Sequence, residues 1–182
     1  MSALDAPNFV RWLAAGFAPA VKLLASAAMP RVRGSATVRG LEGPVEVRRD
    51  RWGVPHIYGR GSLDVFHAQG FVHAQDRMFQ MDLARRVASG RLAEAFGAIA
   101  LGTDRLARTL GFRRVAEVEW AAYDPEMRAT LTAYARGVNA FLEVAQGRLS
   151  AEYKLLGLEP EAWTPVDCLT FGKFQAWHLS HS

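Results

Sequence analysis

Cysteine is nearly absent from this chain, since Cys168 is the only one. A single thiol cannot form an internal disulfide, and no second cysteine completes the spacing of a zinc site. The neighbouring Val166, Leu169 and Phe171 are apolar, which predicts a buried structural thiol. A catalytic thiolate needs an activating base, and no visible arrangement brings His178 to it. The sequence therefore excludes a disulfide scaffold and does not support a cysteine enzyme.

Lysine is also scarce, because 22 basic residues include only Lys22, Lys154 and Lys173. The arginines form no basic block longer than a pair, and the net charge is a modest +4. No groove-reading motif accompanies this charge. We therefore expect no nucleic-acid partner, and arginines that are solvated on helix surfaces or paired with carboxylates.

Several motifs that carry chemistry are missing, namely a glycine-rich phosphate loop, HExxH and GxSxG. The five histidines do not replace them; they are His56, His67, His73, His178 and His181. His67 and His73 lie six positions apart on one predicted helix and point in different directions, which makes them poor co-ligands. His178 and His181 can share a helix face, but no carboxylate lies nearby in the sequence. The residues alone predict no metal site and no reaction.

A long uncharged hydrophobic run is absent as well. The Ala- and Leu-rich stretch Phe9–Met29 is interrupted by Arg11, Pro19 and Lys22, whereas a spanning helix needs about 20 apolar residues. Ala25–Ala27 resembles a small-residue cleavage site, although the positive charges lie within the apolar run and not before it. Three interpretations stay open: an amphipathic helix with membrane contact through residues 9–29, an atypical export signal, and a packed helix.

The chain accordingly divides into an N-terminal segment, residues 1–30, and a main region, residues 31–182. The N-terminal segment slightly favours a periplasmic, extracellular or membrane-associated location over the cytoplasm. It does not decide the compartment.

Short strands precede a series of helices in the main region. Period-two alternation and turn residues predict strands at Ala36–Arg39, Val45–Arg49 and Val54–Tyr58. A long helix follows to Val87 and stops near Ser89-Gly90, with Ser62 predicted as its cap and Asp64 in its first turn. Further helices are predicted over residues 91–96, 104–111 and 113–123.

Asp124-Pro125-Glu126 is typical of a helix start, with Asp124 as the N-cap. Apolar positions every three or four residues predict one buried face reaching about Val144; they are Met127, Leu131, Tyr134, Val138 and Phe141. Tyr153–Leu158 is predicted to be a connector, and an apolar run from Asp167 leads into the C-terminus. The fold class is therefore α+β, mostly helical with a few short N-terminal strands. Such short strands need partners, so we expect an incomplete part of a larger protein.

The stretch Asp50–Arg86 is the most informative part of the chain. Its long helix carries polar side chains among apolar ones, which indicates packing on more than one side with the polar groups paired; these polar residues are Gln75, Asp76, Arg77 and Gln80. Asp76 and Arg77 could form half of an acid–base pair. A charge network that holds helices in register is the favoured interpretation.

Several motifs occur together and in order: DRWGVPHIYG at 50–59, HAQDRMFQMDLARR at 73–86 and SGRLAEAFG at 89–97. AYARGVNAFLE at 133–143 and YKLLGLEPEAWTPVD at 153–167 follow. With these motifs the chain, from about residue 32 to 182, resembles the α-subunit region of the penicillin acylase (penicillin amidase) family of N-terminal nucleophile hydrolases. The resemblance implies the α-subunit part of an αββα sandwich.

Members of this family are made as a precursor that cleaves itself into an α and a β chain. The N-terminal serine of the β chain is the nucleophile, and its own amine, with a pKa near ~8, is the base. The resemblance therefore implies a β-subunit partner from the same precursor. It also implies hydrolysis of N-acyl amides such as β-lactam side chains or N-acyl-homoserine lactones, in antibiotic biosynthesis or degradation. No catalytic residue is expected here, because the amine of Ser182 is part of a peptide bond, and the chain alone should be inactive.

The family's acyl-group pocket supplies the only site residues we assign. Alignment from Trp163 places them at Ala176, Leu179 and Ser180, with simple core packing as the alternative. The resemblance also implies a calcium ion in the intact enzyme, bound by a glutamate beyond this sequence, so no metal ligand is assigned. The alternative function is a non-catalytic helical interaction module that retains the acylase α-region.

Overall fold

The computed structural model describes residues 33–145 and 148–180. In that part a two-stranded sheet precedes seven α-helices. The strands are β1 (Glu46–Arg49) and β2 (Pro55–Tyr58). The helices are α1 (Ser62–Ser89), α2 (Ala93–Phe96), α3 (Leu101–Leu110), α4 (Phe112–Ala122), α5 (Pro125–Ala145), α6 (Ala151–Leu156) and α7 (Pro165–Leu179), with a 3₁₀ turn at Gly97–Ala100. The predictions for residues 1–30 lie outside the described residues. None of the described helices is both long and apolar enough to cross a membrane.

The sheet is an antiparallel hairpin in which Val47 lies opposite Ile57. Its turn is held by the Asp50 carboxylate, which accepts the backbone N–H groups of Trp52 and Val54 at 2.8 and 2.9 Å. Two of the three predicted strands are therefore confirmed. The predicted strand Ala36–Arg39 is wrong, because this segment pairs with no strand in the described part of the chain.

Helix α1 is the 28-residue spine of the fold. The prediction of Ser62 as its cap is wrong, because Gly61 occupies the N-cap position and no side chain caps the helix. Asp64 instead reaches out of the first turn and accepts the N–H groups of Glu42 and Gly43 at 2.9 and 3.0 Å. The other end is as expected, since Gly90 adopts the left-handed conformation with φ 66° and closes the helix.

The core lies where α1 crosses α5. Two glycines allow the backbones to approach, because the Cα of Gly70 faces the carbonyl of Tyr134 and that of Gly137 faces the carbonyl of His67. Beside the crossing, the rings of Phe71 and Phe141 meet edge to face with centroids 5.7 Å apart. The buried cluster comprises Ala74, Met78, Ala135, Val138, Phe141, Ala145, Tyr153 and Trp163.

Helix α5 begins as predicted, with the Asp124 carboxylate accepting the N–H of Met127 at 2.9 Å. The predicted apolar face is buried only around Val138 and Phe141. Met127 and Val144 are exposed. The predicted buried face was too long, because α5 packs on α1 around Gly137 and the first turns of α5 lie away from that contact.

The predicted connector Tyr153–Leu158 contains the short helix α6. Tyr153 is buried, packs edge to face on Phe79 with centroids 5.3 Å apart, and donates its hydroxyl to the Met78 carbonyl at 3.3 Å. A helix of six residues is too short to show a sequence period. Its conformation follows from this anchoring of Tyr153.

Candidate functional site

Helix α7 carries the three predicted pocket residues. Ala176, Leu179 and Ser180 are spaced so that they share one helix face, and all three are exposed in the described part of the chain. Leu179 has 62% of its surface accessible, and Ser180 closes the helix at its C-terminus. The structure thus brings the three residues together on an open face. Their role in binding an acyl group stays a prediction.

A capping box starts α7. The Asp167 carboxylate accepts the backbone N–H and the side-chain hydroxyl of Thr164, both at 2.7 Å, and Pro165 occupies the first turn. This box was not predicted, although Thr-Pro-Val-Asp fits the capping-box pattern with aspartate in place of glutamate. The box fixes the residue at which α7 leaves the preceding connector.

A buried ion network joins this box to the spine helix. Asp82, Arg85 and Asp167 are at most 3% exposed. The Arg85 guanidinium bonds to Asp82 and lies 3.7 Å from the Asp167 carboxylate. Arg86 donates to Asp82 from the other side, and Arg113 of α4 bonds to Asp167. In the sequence Arg85-Arg86 is only a basic pair, because no local pattern shows that both side chains face inwards.

The connector between α6 and α7 is fixed by the same arginine. Arg85 donates to the carbonyl of Ala162 at 3.1 Å and lies over the Trp163 ring, 5.1 Å from its centroid. Asn139 of α5 donates to the Trp163 carbonyl at 2.9 Å and accepts its N–H at 2.7 Å. Helices α1 and α5 therefore both hold Trp163. This double anchor sets the direction in which α7 projects.

The lone thiol belongs to this anchor. The Trp163 indole N–H donates to Cys168 Sγ at 3.2 Å. Burial raises the pKa of Cys168 to about 11, so the thiol is protonated at neutral pH and is a poor nucleophile. The structure supports the prediction of a structural thiol.

Asp76, the candidate for an acid–base role, is an anchor for the hairpin. Its carboxylate accepts two hydrogen bonds from Arg49 of β1, at 2.8 and 2.9 Å, and Gln75 accepts a third. Asp76 therefore belongs to a charge network, as expected, but this network holds the hairpin on α1 and not two helices in register. Arg77 is exposed and has non-helical backbone angles that kink α1.

Helix α7 packs mainly on α4 and also contacts α1 and α5. Phe112 meets Phe174 and Trp177, each with ring centroids 5.8 Å apart, and Lys173 pairs with Glu119 at 2.6 Å. Phe171 and Leu179 are exposed on the remaining surface. The surface of α7 outside these contacts therefore includes exposed apolar side chains.

A second ion network reaches the connector at the surface. Arg91 bonds to both Glu94 and Glu161. The hydrogen bond from Arg91 lowers the pKa of Glu161 from its ordinary 4.5 to about 2. Glu94 also accepts a 2.7 Å bond from the buried Arg86, which links the two networks.

This depressed pKa predicts a loss of stability in acid. Because the folded pKa of Glu161 lies below its unfolded value, the stabilisation is complete above pH 4.5 and is lost as the pH falls towards 2. We expect the melting temperature to fall across this window, and Glu161→Gln to show a slightly shallower fall, since the pair is half-exposed and screened. Thermal melts followed by circular dichroism measure both slopes. Glu159→Gln is the control and should follow the wild type; equal slopes for all three proteins would contradict the prediction.

The comparison with protein families decides the identity of this scaffold. The sequence model of the family described as penicillin amidase matches residues 44–182. The chain belongs to this family. The match contains the hairpin, the spine helix and α7, and with them the ion network.

Relatives in the penicillin amidase family are named as acylases. Over 139 residues the chain is 50% identical to the penicillin acylase 2 proenzyme of Pseudomonas sp. (strain SE83), covering 76% of this chain and 18% of that protein. It is 38% identical to the acyl-homoserine lactone acylase QuiP of Pseudomonas aeruginosa, covering 76% of this chain and 16% of the relative. The chain therefore spans less than a fifth of the length of these relatives.

A solved family structure confirms the fold. The thermostable penicillin G acylase of Alcaligenes faecalis superposes with a TM-score of 0.69 at 31% identity, over 76% of this chain and 75% of the matched chain. The predicted class, mainly helical with a short N-terminal sheet in an N-terminal nucleophile hydrolase, is therefore confirmed. In the described part of the penicillin amidase chain, no group of three or more His, Cys, Asp or Glu side chains is placed to hold a metal ion. The calcium ion implied for the intact enzyme stays a prediction.

Proposed function

We propose that this chain is the α-subunit portion of an amidohydrolase that cleaves the amide bond of N-acyl compounds. The observation that carries the proposal is α7, a helix fixed at its start by buried ion pairs and exposing an apolar face. Such a helix offers a rigid wall to a neighbouring chain or substrate. Family membership with acylase relatives supports an amide as the bond that is cleaved.

The reaction itself would be performed by a β chain from the same precursor. The hydroxyl of its N-terminal serine would attack the amide carbonyl while its own amine takes the hydroxyl proton. The amine would pass this proton to the leaving nitrogen as the C–N bond breaks, and water would then hydrolyse the serine ester to the free acid and regenerate the serine hydroxyl. In this heterodimer the present chain contributes Ala176, Leu179 and Ser180 to the acyl pocket. Small and aliphatic groups there leave room for the acyl chain. The relatives' names support two substrate classes, penicillins and acyl-homoserine lactones.

A chimeric precursor tests this proposal. Residues 44–182 replace the matched region of the penicillin acylase 2 proenzyme of Pseudomonas sp. (strain SE83), with which they share 50% identity. We expect the chimera to be processed into two chains and to hydrolyse the parent's substrate, because the two regions share half of their residues. Hydrolysis rates of substrates with short and long acyl groups then show whether residues 176–180 change the acyl-group preference of the parent enzyme.

The 182-residue chain alone is the matched control. It should show no saturable turnover of a chromogenic N-acyl amide, because it supplies no nucleophile, and turnover by it would contradict the proposal. A chimera that folds and remains unprocessed and inactive would favour the alternative, a non-catalytic helical interaction module.

A further inference from the structure

A second feature of the fold is a cavity of about 580 Å³ between the first turns of α1 and the α4–α5 junction. We call it the α1–α5 cavity. Leu63, Trp120 and Ala129 form part of its apolar wall, and the loop residue Gly40 closes one side. This volume and this mainly apolar lining are typical of small-molecule sites, which lie in the range of roughly 300–1,000 Å³.

His67 lies in the wall of this cavity without a hydrogen-bond partner. Its side chain is 2% exposed, and neither Nδ1 nor Nε2 is bonded to any group in the described part of the chain. Burial lowers the pKa of His67, so the ring is neutral at neutral pH and carries one N–H donor. A buried donor without an acceptor is costly and rare. An acceptor supplied by a ligand would satisfy it.

Two guanidinium groups of α5 also line the cavity. Arg128 stacks on Trp120, with its Cζ 4.8 Å from the ring centroid, which leaves the edge of the guanidinium free to donate. Arg136 is close enough to His67 to influence it electrostatically. Neither arginine forms an ion pair within residues 33–145 and 148–180. The α5 side of the cavity therefore presents positively charged hydrogen-bond donors that an anionic acceptor would pair with.

The acidic groups of the cavity do not use these donors. The Asp64 carboxylate is bonded to the backbone N–H groups of Glu42 and Gly43. Glu42 itself is exposed, on the loop opposite α5. Asp64 acts electrostatically on His67, whereas both guanidiniums belong to α5 and are outside any ion pair of the described residues. A negative group bound beside α5 is therefore attracted without displacing an existing pair.

We propose that the α1–α5 cavity binds a small organic carboxylate. Its oxygens accept hydrogen bonds from Arg136 and from the His67 ring N–H, and its apolar body packs against Trp120 and Leu63. Charge-assisted bonds to a guanidinium supply the affinity. The apolar wall selects organic acids over inorganic anions.

Titration calorimetry of the 182-residue chain with benzoate and with the neutral benzamide tests this proposal. Benzoate should bind saturably and at least about tenfold more tightly than benzamide, because only the carboxylate pairs with Arg136. Arg136→Gln should weaken benzoate about tenfold and leave benzamide unchanged. Arg105→Gln, on α3 and outside the cavity lining, is the matched control and should bind both as the wild type does.

Nuclear magnetic resonance tests whether the ligand lies beside His67. With ¹⁵N-labelled histidine, benzoate should shift the ring resonances of His67, identified through His67→Gln, more than those of His56 or His73. Since Arg136 is exposed, its variant is expected to stay folded even if His67→Gln does not. Equal affinity for benzoate and benzamide, no saturable benzoate binding, or no effect of Arg136→Gln would each overturn the proposal.

Discussion

Replacing Gly137 with alanine is expected to destabilise the protein by about 3 kcal/mol. A Cβ at this position would overlap the carbonyl oxygen of His67 and crowd the backbone N–H of Phe71. Both obstacles are backbone atoms of α1, so no side-chain rotation relieves the overlap. The helices must separate, and the edge-to-face contact between Phe71 and Phe141 is strained with them.

The sign of this effect is diagnostic. In an open helix, Gly→Ala stabilises by about 1 kcal/mol, because alanine loses less backbone entropy on folding. Gly172 of α7 is the matched control, since a Cβ there meets no atom within 4 Å. Urea unfolding followed by circular dichroism should show Gly172→Ala at or above the wild-type midpoint and Gly137→Ala far below it. Equal midpoints for the two variants would show that α1 and α5 do not need the close approach.

Asp82→Asn is expected to cost a similar amount, about 3 kcal/mol. Asp82 is 1% exposed and is bonded to both Arg85 and Arg86. An amide has no charge to offset two buried guanidiniums, and its NH₂ group would face donors. The loss of folding free energy stays at the lower end of the range for a broken buried ion pair. The reason is that Arg85 still pairs with Asp167 and Arg86 still pairs with Glu94.

The region that loses protection first distinguishes a local effect of the broken network from a general loss of stability. Arg85 holds the carbonyl of Ala162 and the ring of Trp163, so hydrogen exchange should accelerate first over residues 159–165. Glu46→Gln is the control, because its ion pair with Arg48 is exposed, and it should leave the urea midpoint unchanged. An Asp82→Asn midpoint equal to that of the control would show that the buried network contributes no stability.

The buried ion network and the contacts of the connector together fix the direction of α7. Asp82 and Asp167 neutralise Arg85, Asn139 fixes Trp163, and the capping box begins the helix at Pro165. These contacts come from α1, from α5 and from the first turn of α7 itself, so α7 is positioned by several elements of the described fold. A substitution in α1 can therefore change the geometry of residues 176–180 without touching them.

Local patterns predicted the elements that depend on near neighbours. Gly90 ends α1 and Asp124 begins α5 as expected, because caps are decided within a few residues. Alternation likewise located both strands of the hairpin. The prediction of a strand at Ala36–Arg39 was wrong, because a strand requires a partner and none of the described segments pairs with it.

The sequence by itself determined the family, the helical class and the termini of the main helices, because ordered motifs, periodicity and caps are local properties of the chain. Only the tertiary structure decided which polar residues are buried. Arg85 and Arg86 lie inside, Arg77 lies outside, and His67 is enclosed without a hydrogen-bond partner in the described residues. It likewise showed that Gly70 and Gly137 meet backbone across a helix crossing. Burial and close approach depend on residues distant in sequence, and for that reason no local pattern could specify them.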